Sequence, residues 1–234
     1  MHVRVITPAY LEAYLQIAQN ACSVKMQATK IVNCSQLIFF DGVSPLTFNL
    51  SSIQNDNAQV LYTRFNHNDF GDHIRALGTR VSLRSNIDAI TFLDADNSWS
   101  DGHLQSILAA HKRTKKNIIV SQRKLIDENG TETIGGHTSF FDTNTITLFG
   151  NFKKIGLMWG KYPREMSLIG DRIISQYIKT HFPDEIAYTS EATVLYRYSK
   201  IPRHKIEKFK SWYRARYPYI ASEFRNRFGF DVKI

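Results

Sequence analysis

The stretch AITFLDAD, residues 89–96, decides the fold class of this chain. Its first five residues form a compact, mostly apolar run, which predicts a buried strand over 89–93. Two acidic residues, Asp94 and Asp96, follow at once, so the chain becomes polar where the predicted strand ends. A short apolar strand that ends in carboxylates is typical of an open α/β sheet, whose ligands bind beyond the carboxyl ends of the strands.

Strand and helix patterns alternate on both sides of this stretch. The predicted strands are 2–7, 36–40, 58–64, 89–93 and 117–122, and the predicted helices cover 10–22, the 74–81 region and the 104–111 region. Short loops connect these elements. The alternation therefore predicts an α/β fold, in which helices cover both faces of a parallel sheet.

The pattern changes after residue 122. Glu128-Asn129-Gly130 indicates a hairpin turn, and residues 131–165 lack a clear period. A helix over 168–180 and a strand over 191–198 follow, and the remaining residues are predicted to form short helical pieces. We expect one domain over residues 1–198, divided near residue 122, and a separate tail over 199–234.

The charge of the chain lies almost entirely in this tail. The 234 residues carry a formal net charge of +9, of which residues 197–234 contribute +8. Aromatic residues are interleaved with these cations, among them Trp212, Tyr213, Tyr217, Tyr219, Phe224, Phe228 and Phe230. Three interpretations stay open, namely contact with an anionic membrane surface, binding of nucleic acid, or aromatics packed on the domain with solvated charges.

Composition excludes several other classes of protein. Hydrophobic residues make up 43% and charged residues 22%, which excludes a disordered or collagen-like chain. Cys22 and Cys34 lack the spacing of a zinc site and are expected to be buried thiols. The sequence has no apolar run near 18 residues and no leader pattern, so we expect a cytoplasmic protein.

The pair Asp94 and Asp96 is the main candidate for chemistry. Two carboxylates at one strand end are costly to bury without a cation, and Mg²⁺ or Mn²⁺ is the natural partner of such oxygen ligands. The alternative is a solvated pair that caps the next helix together with Ser98, Ser100 and Asp101. Spacing alone leaves both interpretations open.

Three longer segments carry a family resemblance. They are VITPAYLEAYLQIAQNACSV from Val5, LIFFDGVS from Leu37, and NDFGDHIRALGTRVSLRSNIDAITFLDADNSWSDGHL from Asn68. Together they resemble a GT-A glycosyltransferase of the family 2 type over about residues 3–110. Arg75 and Gly78 match the segment that precedes the D-x-D strand in that family, whereas Ala76 stands where the family has Asn. The resemblance implies a GT-A fold with a mostly parallel central sheet flanked by helices.

The resemblance also implies how a nucleotide would be bound. Thr7, Pro8 and Tyr10 would line the nucleotide pocket, with Tyr10 near the base. Asp41 would accept hydrogen bonds from a base edge, expected to be uracil. Arg75 would approach the nucleotide or its phosphates, and Asp94 would contact the ribose, or the metal through water. The structural alternatives are an Asx-turn for Asp41 and a surface ion pair for Arg75.

The metal and the catalytic base follow from the same resemblance. Asp96 would bind Mn²⁺ or Mg²⁺ on the diphosphate, with Asp94 as a further metal contact. His204 is the candidate third ligand, and His137 is an alternative to it. Asp171 heads the 168–180 helix where the family places its base, although Gly170 occupies the first of the two acidic positions. Glu165 is the reserve base.

Two tryptophans were further candidates for the site. Trp99 and Trp159 would either form walls for sugar rings or simply pack in the core. The resemblance divides the domain into a nucleotide-binding half, 1–122, and an acceptor half, 123–198.

The resulting expectation is a metal-dependent, inverting glycosyltransferase. It would move a sugar from a nucleotide-diphosphate donor, expected to be a UDP-sugar, to a hydroxyl of a glycan or lipid-linked acceptor. One rival is a sugar-phosphate nucleotidyltransferase, which needs a glycine-rich loop after the first strand; TPAYLEAY, residues 7–14, has no glycine. The other rival, a nucleic-acid-binding module, leaves Asp94 and Asp96 unexplained.

Overall fold

The computed structural model describes residues 1–10, 14–42, 53, 57–127, 130–135, 140–197 and 203–230. The strands are β1 His2–Ala9, β2 Asn33–Asp41, β3 Ala58–Thr63, β4 Ala89–Phe92, β5 Ser98–Trp99, β6 Ile118–Ile126, β7 Glu132–Gly135, β8 Ile146–Phe149 and β9 Ile186–Arg197. The α-helices are α1 Tyr14–Lys25, α2 Asp72–Ser82, α3 His103–Thr114, α4 Gly170–His181 and α5 Arg203–Phe228. Short 3-10 segments cover Thr143–Thr145, Gly150–Gly160, Arg164–Ile169 and Pro183–Glu185.

Within these residues the strands form one nine-stranded sheet in the order β3-β2-β1-β4-β8-β6-β9-β5, with β7 paired to β6. The pairs among β3, β2, β1 and β4 are parallel, whereas β8 is antiparallel to both of its neighbours. This sheet, flanked by helices, confirms the predicted α/β class. The register pairs Ile6 with Phe92 and Ala9 with Phe40, so β1, β2 and β4 end at the same edge.

A glycine lets α2 lie directly on β1. A Cβ added at Gly78 would be only 2.5 Å from Cγ2 of Ile6, so a larger residue would push the helix off the sheet. Arg75 lies about one turn earlier in the same helix. The close packing therefore brings its guanidinium to the sheet edge where the strands end.

Several element boundaries differ from the sequence prediction. β1 continues through Pro8, because β4 pairs with β1 only as far as Ile6 and no N–H is required from the proline on that side. α1 begins at Tyr14 rather than residue 10, and β9 begins five residues before the predicted 191. Cys34 is buried as expected, but Cys22 is exposed on α1, so that part of the prediction was wrong.

The C-terminal part of the chain that the structure describes forms one helix, α5 Arg203–Phe228, rather than short pieces. One side of α5 packs into the main apolar core through Phe209, Tyr213, Ile220, Phe224 and Phe228. Among its described side chains, the exposed cations are Lys208, Lys210, Arg214, Arg216, Arg225 and Arg227. Among the described residues, no helix combines the length and the apolar character needed to cross a membrane.

Candidate active site

A cavity of about 470 Å³ lies at the sheet edge where β1, β2 and β4 end. The N-terminus of α4 closes its other side through Gly170 and Asp171. Seven residues predicted from the sequence line it together: Pro8, Tyr10, Asp41, Arg75, Asp94, Asp96 and Asp171. The cavity is thus lined by side chains that lie more than 160 positions apart in the chain.

Hydrogen bonds from α1 and β2 hold the turn that carries Asp94 and Asp96. Asn20 on α1 donates through Nδ2 to the carbonyl oxygens of Asp94 and Asn97, each at 2.9 Å. Gln36 on β2 in turn donates to Oδ1 of Asn20 at 2.6 Å. Because these amides are buried, their bonds fix the turn at the cavity edge.

Thr7 belongs to this supporting layer. Its side chain is fully buried, and its hydroxyl accepts a hydrogen bond from Gln36 Nε2 at 2.8 Å. It does not line the cavity, contrary to the expectation from the resemblance. Successive residues of a strand point to opposite faces, so Thr7 and Pro8 cannot direct their side chains the same way.

Both carboxylate oxygens of Asp94 are bonded to protein. Oδ1 accepts from Arg75 Nη2, and Oδ2 accepts from Asn144 Nδ2 at 3.0 Å. The backbone N–H of Asp94 donates to Oδ1 of the same asparagine at 2.6 Å. The orientation of Asp94 is therefore set by two residues, one on α2 and one in the 143–145 segment.

Arg75 is a buried cation between carboxylates rather than half of a surface ion pair. Its side chain is 6% exposed, and Nη1 donates to Asp72 Oδ1 at 3.1 Å and to the carbonyl of Phe70 at 2.8 Å. Burial alone would lower the pKa of the guanidinium, but the carboxylates of Asp94 and Asp72 raise it above its usual range. Arg75 thus keeps a fixed positive charge at the cavity wall.

Asp41 lines the cavity, and its carboxylate also accepts hydrogen bonds that hold the loop after β3. Its oxygens accept from the Thr63 hydroxyl at 3.0 Å and from the His67 backbone N–H at 3.0 Å, and Nδ1 of His67 lies 2.6 Å from Oδ1. The His67 ring stacks on His73 at 3.8 Å.

Asp171 is a half-buried carboxyl group in the first turn of α4. The Thr143 hydroxyl donates to its Oδ1. Burial raises the pKa of Asp171 to about 7, and the charge of Asp142 acts in the same direction, whereas the Arg75 cation opposes it. A carboxyl group with a pKa near neutrality is suited to take up a proton at physiological pH.

Gly170 departs from the acidic pair of the family for a steric reason. A Cβ at this position would lie 2.5 Å from the Tyr162 hydroxyl and 3.0 Å from Oδ2 of Asp72. Asp72 accepts from that hydroxyl at 2.8 Å, and burial raises its pKa to about 8. A second carboxyl group therefore lies against position 170, the residue before Asp171, but α2 supplies it.

The donor set suits a divalent cation only in part. Asp96 is half-buried and lines the cavity, and Mg²⁺ is commonly bound by one or two carboxylates together with substrate phosphates. In the part of the chain that the structure describes, no group of three His, Cys, Asp or Glu could hold a metal by itself. His137 and the side chain of His204 lie outside the described residues. The fit is thus to an ion whose shell the substrate completes.

Three sequence candidates lie away from the cavity. Trp159 is 1% exposed and packs against Phe92 with ring centroids 4.6 Å apart, and Trp99 is 4% exposed and stacks on His103. Both are core residues, so neither forms a sugar wall in this structure. Glu165 is exposed and does not line the cavity, which leaves Asp171 as the better-placed base.

The residues that hold the predicted ones in place were not predicted from the sequence. Asp72, Asn144, Thr143 and Tyr196 lie in or directly behind the cavity wall. The available signal was the polar run Asp142–Thr145 between the apolar residues Phe141 and Ile146, because four successive buried polar residues require partners.

Comparisons with known proteins agree with this architecture. The model of the family described as Glycosyl transferase family 2 matches residues 4–163. None of the curated proteins compared with the chain matches it. The fold is similar to that of S. aureus TarS, with a TM-score of 0.61 and 14% identity, covering all of this chain and 41% of the TarS chain. The GT-A fold expected from the resemblance is therefore confirmed.

Two complexes of a shorter TarS chain, residues 1–349, are also similar. The complex with UDP and the complex with UDP-GlcNAc each give a TM-score of 0.62 at 14% identity, and this chain covers 67% and 68% of them. At this identity the likeness concerns the fold. The chain described here spans less than half of the longer TarS chain.

Proposed function

Because the chain belongs to glycosyl transferase family 2, we propose that it transfers a sugar from a UDP-sugar to a hydroxyl of a glycan or lipid-linked acceptor. The observation that carries this proposal is that one cavity is lined by Asp41, Arg75, the Asp94–Asp96 turn and Asp171. The complexes of TarS with UDP and UDP-GlcNAc, which share the fold, support a uridine nucleotide as the donor.

The donor nucleotide would lie along the ends of β1, β2 and β4. Tyr10 is 41% exposed at the cavity edge, where its ring can stack on a base. Asp41 offers a carboxylate oxygen to the single ring N–H of the uracil in a uridine nucleotide. Arg75 supplies a fixed positive charge near the diphosphate, which strengthens the attraction because the site is partly buried.

Asp171 would act as the general base. It takes the proton from the acceptor hydroxyl, whose oxygen attacks the anomeric carbon from the face opposite the diphosphate. The bond from that carbon to the diphosphate oxygen breaks, the nucleoside diphosphate leaves, and the anomeric configuration is inverted. Mn²⁺ or Mg²⁺, held by Asp96 and the donor phosphates, would supply neutralisation of the charge on the leaving group.

The test is a transfer and donor-hydrolysis assay with a panel of UDP-sugars in the presence of Mn²⁺ or Mg²⁺. We expect UDP release with at least one donor. Asp96→Asn should lower the rate at least about a hundredfold, since a Lewis acid contributes several kcal/mol to such a transition state. Asp101→Asn is the matched control, because Asp101 is exposed just beyond the same turn.

Two results would contradict this assignment. If the wild-type protein released UDP from no donor, the proposed activity would be wrong. If Asp96→Asn kept both its rate and its metal dependence, the carboxylate would not be a metal ligand. The nucleotidyltransferase interpretation has no support in the family match.

An anionic membrane surface is the proposed partner of α5. Lys208, Lys210, Arg214 and Arg216 are exposed on this helix, and Tyr217 and Tyr219 are 45% and 69% exposed beside them. Basic residues with interfacial aromatics are typical of surfaces that contact anionic lipid. Such a contact would hold the protein on the surface that carries a lipid-linked acceptor.

Replacing these four cations by Gln is expected to reduce binding to phosphatidylglycerol-containing vesicles at least tenfold, since each contributes about 1 kcal/mol near anionic lipid. Co-sedimentation with such vesicles and with neutral phosphatidylcholine vesicles measures the effect. The matched control replaces Arg84, Lys112, Arg113 and Lys115, which are exposed outside α5. Equal losses in the two quadruple variants would contradict a specific role of α5, and preferential binding to RNA or DNA would favour nucleic acid as the partner.

A further inference from the structure

A short buried polar turn lies between the two acidic walls of the cavity. Asp142, Thr143, Asn144 and Thr145 are each at most 4% exposed. Asp142 caps this 3-10 turn by accepting from the Asn144 backbone N–H at 2.9 Å, and its other oxygen forms an ion pair with Arg123 on β6. Thr145 donates its hydroxyl to the Asp142 carbonyl at 2.7 Å. The turn is therefore closed on itself and anchored to the sheet.

Adjacent residues of this turn contact opposite walls of the cavity. The Asn144 side chain forms two hydrogen bonds with Asp94. Its Nδ2 donates to Asp94 Oδ2 at 3.0 Å, and its Oδ1 accepts from the Asp94 backbone N–H at 2.6 Å. Thr143 donates its hydroxyl to Oδ1 of Asp171. Consecutive residues in a capped turn cannot move independently, so the two carboxylates are held by one rigid unit.

We infer that the Asp142–Thr145 turn sets the spacing between the base and the donor site: Thr143 positions Asp171, and Asn144 positions Asp94. The inference rests on the proposed function, since it takes Asp171 as the base and Asp94 as part of the nucleotide site. Neither residue of the turn takes part in the chemistry. The placement of the two carboxylates nevertheless affects the reaction rate strongly, because a displacement of about 1 Å at a catalytic group can lower the rate roughly a hundredfold.

The first test is Thr143→Val, which keeps the shape and removes the hydroxyl. We expect kcat to fall about tenfold or more, with the donor KM and the affinity for UDP unchanged. The hydrogen bond from Thr143 favours the charged form of Asp171, so its loss should raise the pKa of this carboxyl group. The acid limb of the pH profile should therefore move to higher pH. Asp142, Asp94 and Arg75 are the other charged groups that act on Asp171. Thr143→Ser should restore both kcat and the profile.

The second test is Asn144→Leu, which removes both bonds to Asp94. This variant should weaken UDP binding at least about tenfold, measured by calorimetry with UDP and Mn²⁺, whereas Thr143→Val should not. Thr147→Val is the control, because the Thr147 hydroxyl is buried on β8 and has no hydrogen-bond partner among the described residues. It should leave kcat, KM and UDP affinity as in the wild type.

The outcomes separate this inference from the proposed function. Wild-type turnover together with an unchanged kcat and pH profile in Thr143→Val would overturn the inference alone. The same holds if Thr143→Ser fails to restore kcat, or if Thr143→Val and Asn144→Leu lower kcat and UDP affinity alike, since a general loss of structure would then explain both. Absence of UDP release by the wild type from every donor would overturn the proposed function and this inference with it.

Discussion

Replacing Asp171 with Asn is expected to lower kcat for sugar transfer by about two to four orders of magnitude, the usual contribution of a positioned general base. The amide keeps the size of the side chain and can still meet the Thr143 hydroxyl, but it cannot take the proton of the acceptor. UDP affinity should change little, because the proposed nucleotide contacts come from the other wall of the cavity. Steady-state kinetics with the active donor and UDP calorimetry measure the two quantities.

The control for this variant is Glu165→Gln, since Glu165 is an exposed acid six residues earlier that does not line the cavity. It should keep wild-type kcat. If Glu165→Gln were inactive and Asp171→Asn active, the base would be Glu165.

The pH dependence of kcat/KM in the wild-type protein is expected to follow from the Asp171 carboxyl group. Its raised pKa, about 7, means that the base is protonated and inactive in more acidic solution. We therefore expect kcat/KM to fall about tenfold per pH unit below pH 7 and to be level above it. A level profile down to pH 5 would contradict the role of Asp171 as a base of that pKa.

The second large effect concerns stability. Arg75→Met is expected to lower the free energy of unfolding by about 3–5 kcal/mol, because removing one partner of a buried ion pair leaves uncompensated charge. Two carboxylates, Asp94 and Asp72, would lose the cation that lies between them. Urea unfolding at pH 8 followed by circular dichroism measures the loss.

Three comparisons test whether the buried charge cluster causes the loss of stability in Arg75→Met. Arg80→Met removes an exposed cation from the same helix and should cost less than about 1 kcal/mol. Adding Asp72→Asn to Arg75→Met should recover part of the loss, because one of the stranded charges is removed. The loss should also be smaller at pH 5 than at pH 8, since carboxyl groups whose pKa is raised are neutral in acid. Equal losses in Arg75→Met and Arg80→Met would contradict a buried charge cluster.

Local sequence patterns were sufficient for most elements before residue 122 and for the acidic residues that follow two of the strands. Hydrophobic runs and helical spacing predicted the strands and helices that lead to Asp41 and Asp94, whereas the role of Asp171 came from the family resemblance. Which face a side chain takes at the end of a strand depends on a one-residue offset. Periodicity in an apolar run does not determine that offset. The expectation that Thr7 lines the cavity came from the family resemblance, and the structure instead places this side chain in the buried layer beside Gln36.

Local sequence patterns did not predict the contacts between distant segments of the chain. The Asn144–Asp94 bond joins residues 50 positions apart, and the Thr143–Asp171 bond joins residues 28 apart. Residue type alone likewise does not separate a tryptophan that packs in the core from one that lines a cavity. Three interpretations of the C-terminal segment stayed open from the sequence. In the structure its apolar residues Phe209, Tyr213, Ile220, Phe224 and Phe228 recur at helical spacing and form a core-facing stripe.

The contact of Gly170 with Tyr162 and Asp72 has a consequence for how this site can change. An acid at position 170 would need open space where these two side chains meet, so it could be introduced only together with changes at positions 72 and 162. Introducing it by a single substitution would force two polar groups out of a buried contact. Enzyme engineers who wish to transplant the acidic pair into this chain should start by shortening the side chains at 72 and 162, and introduce the acid last.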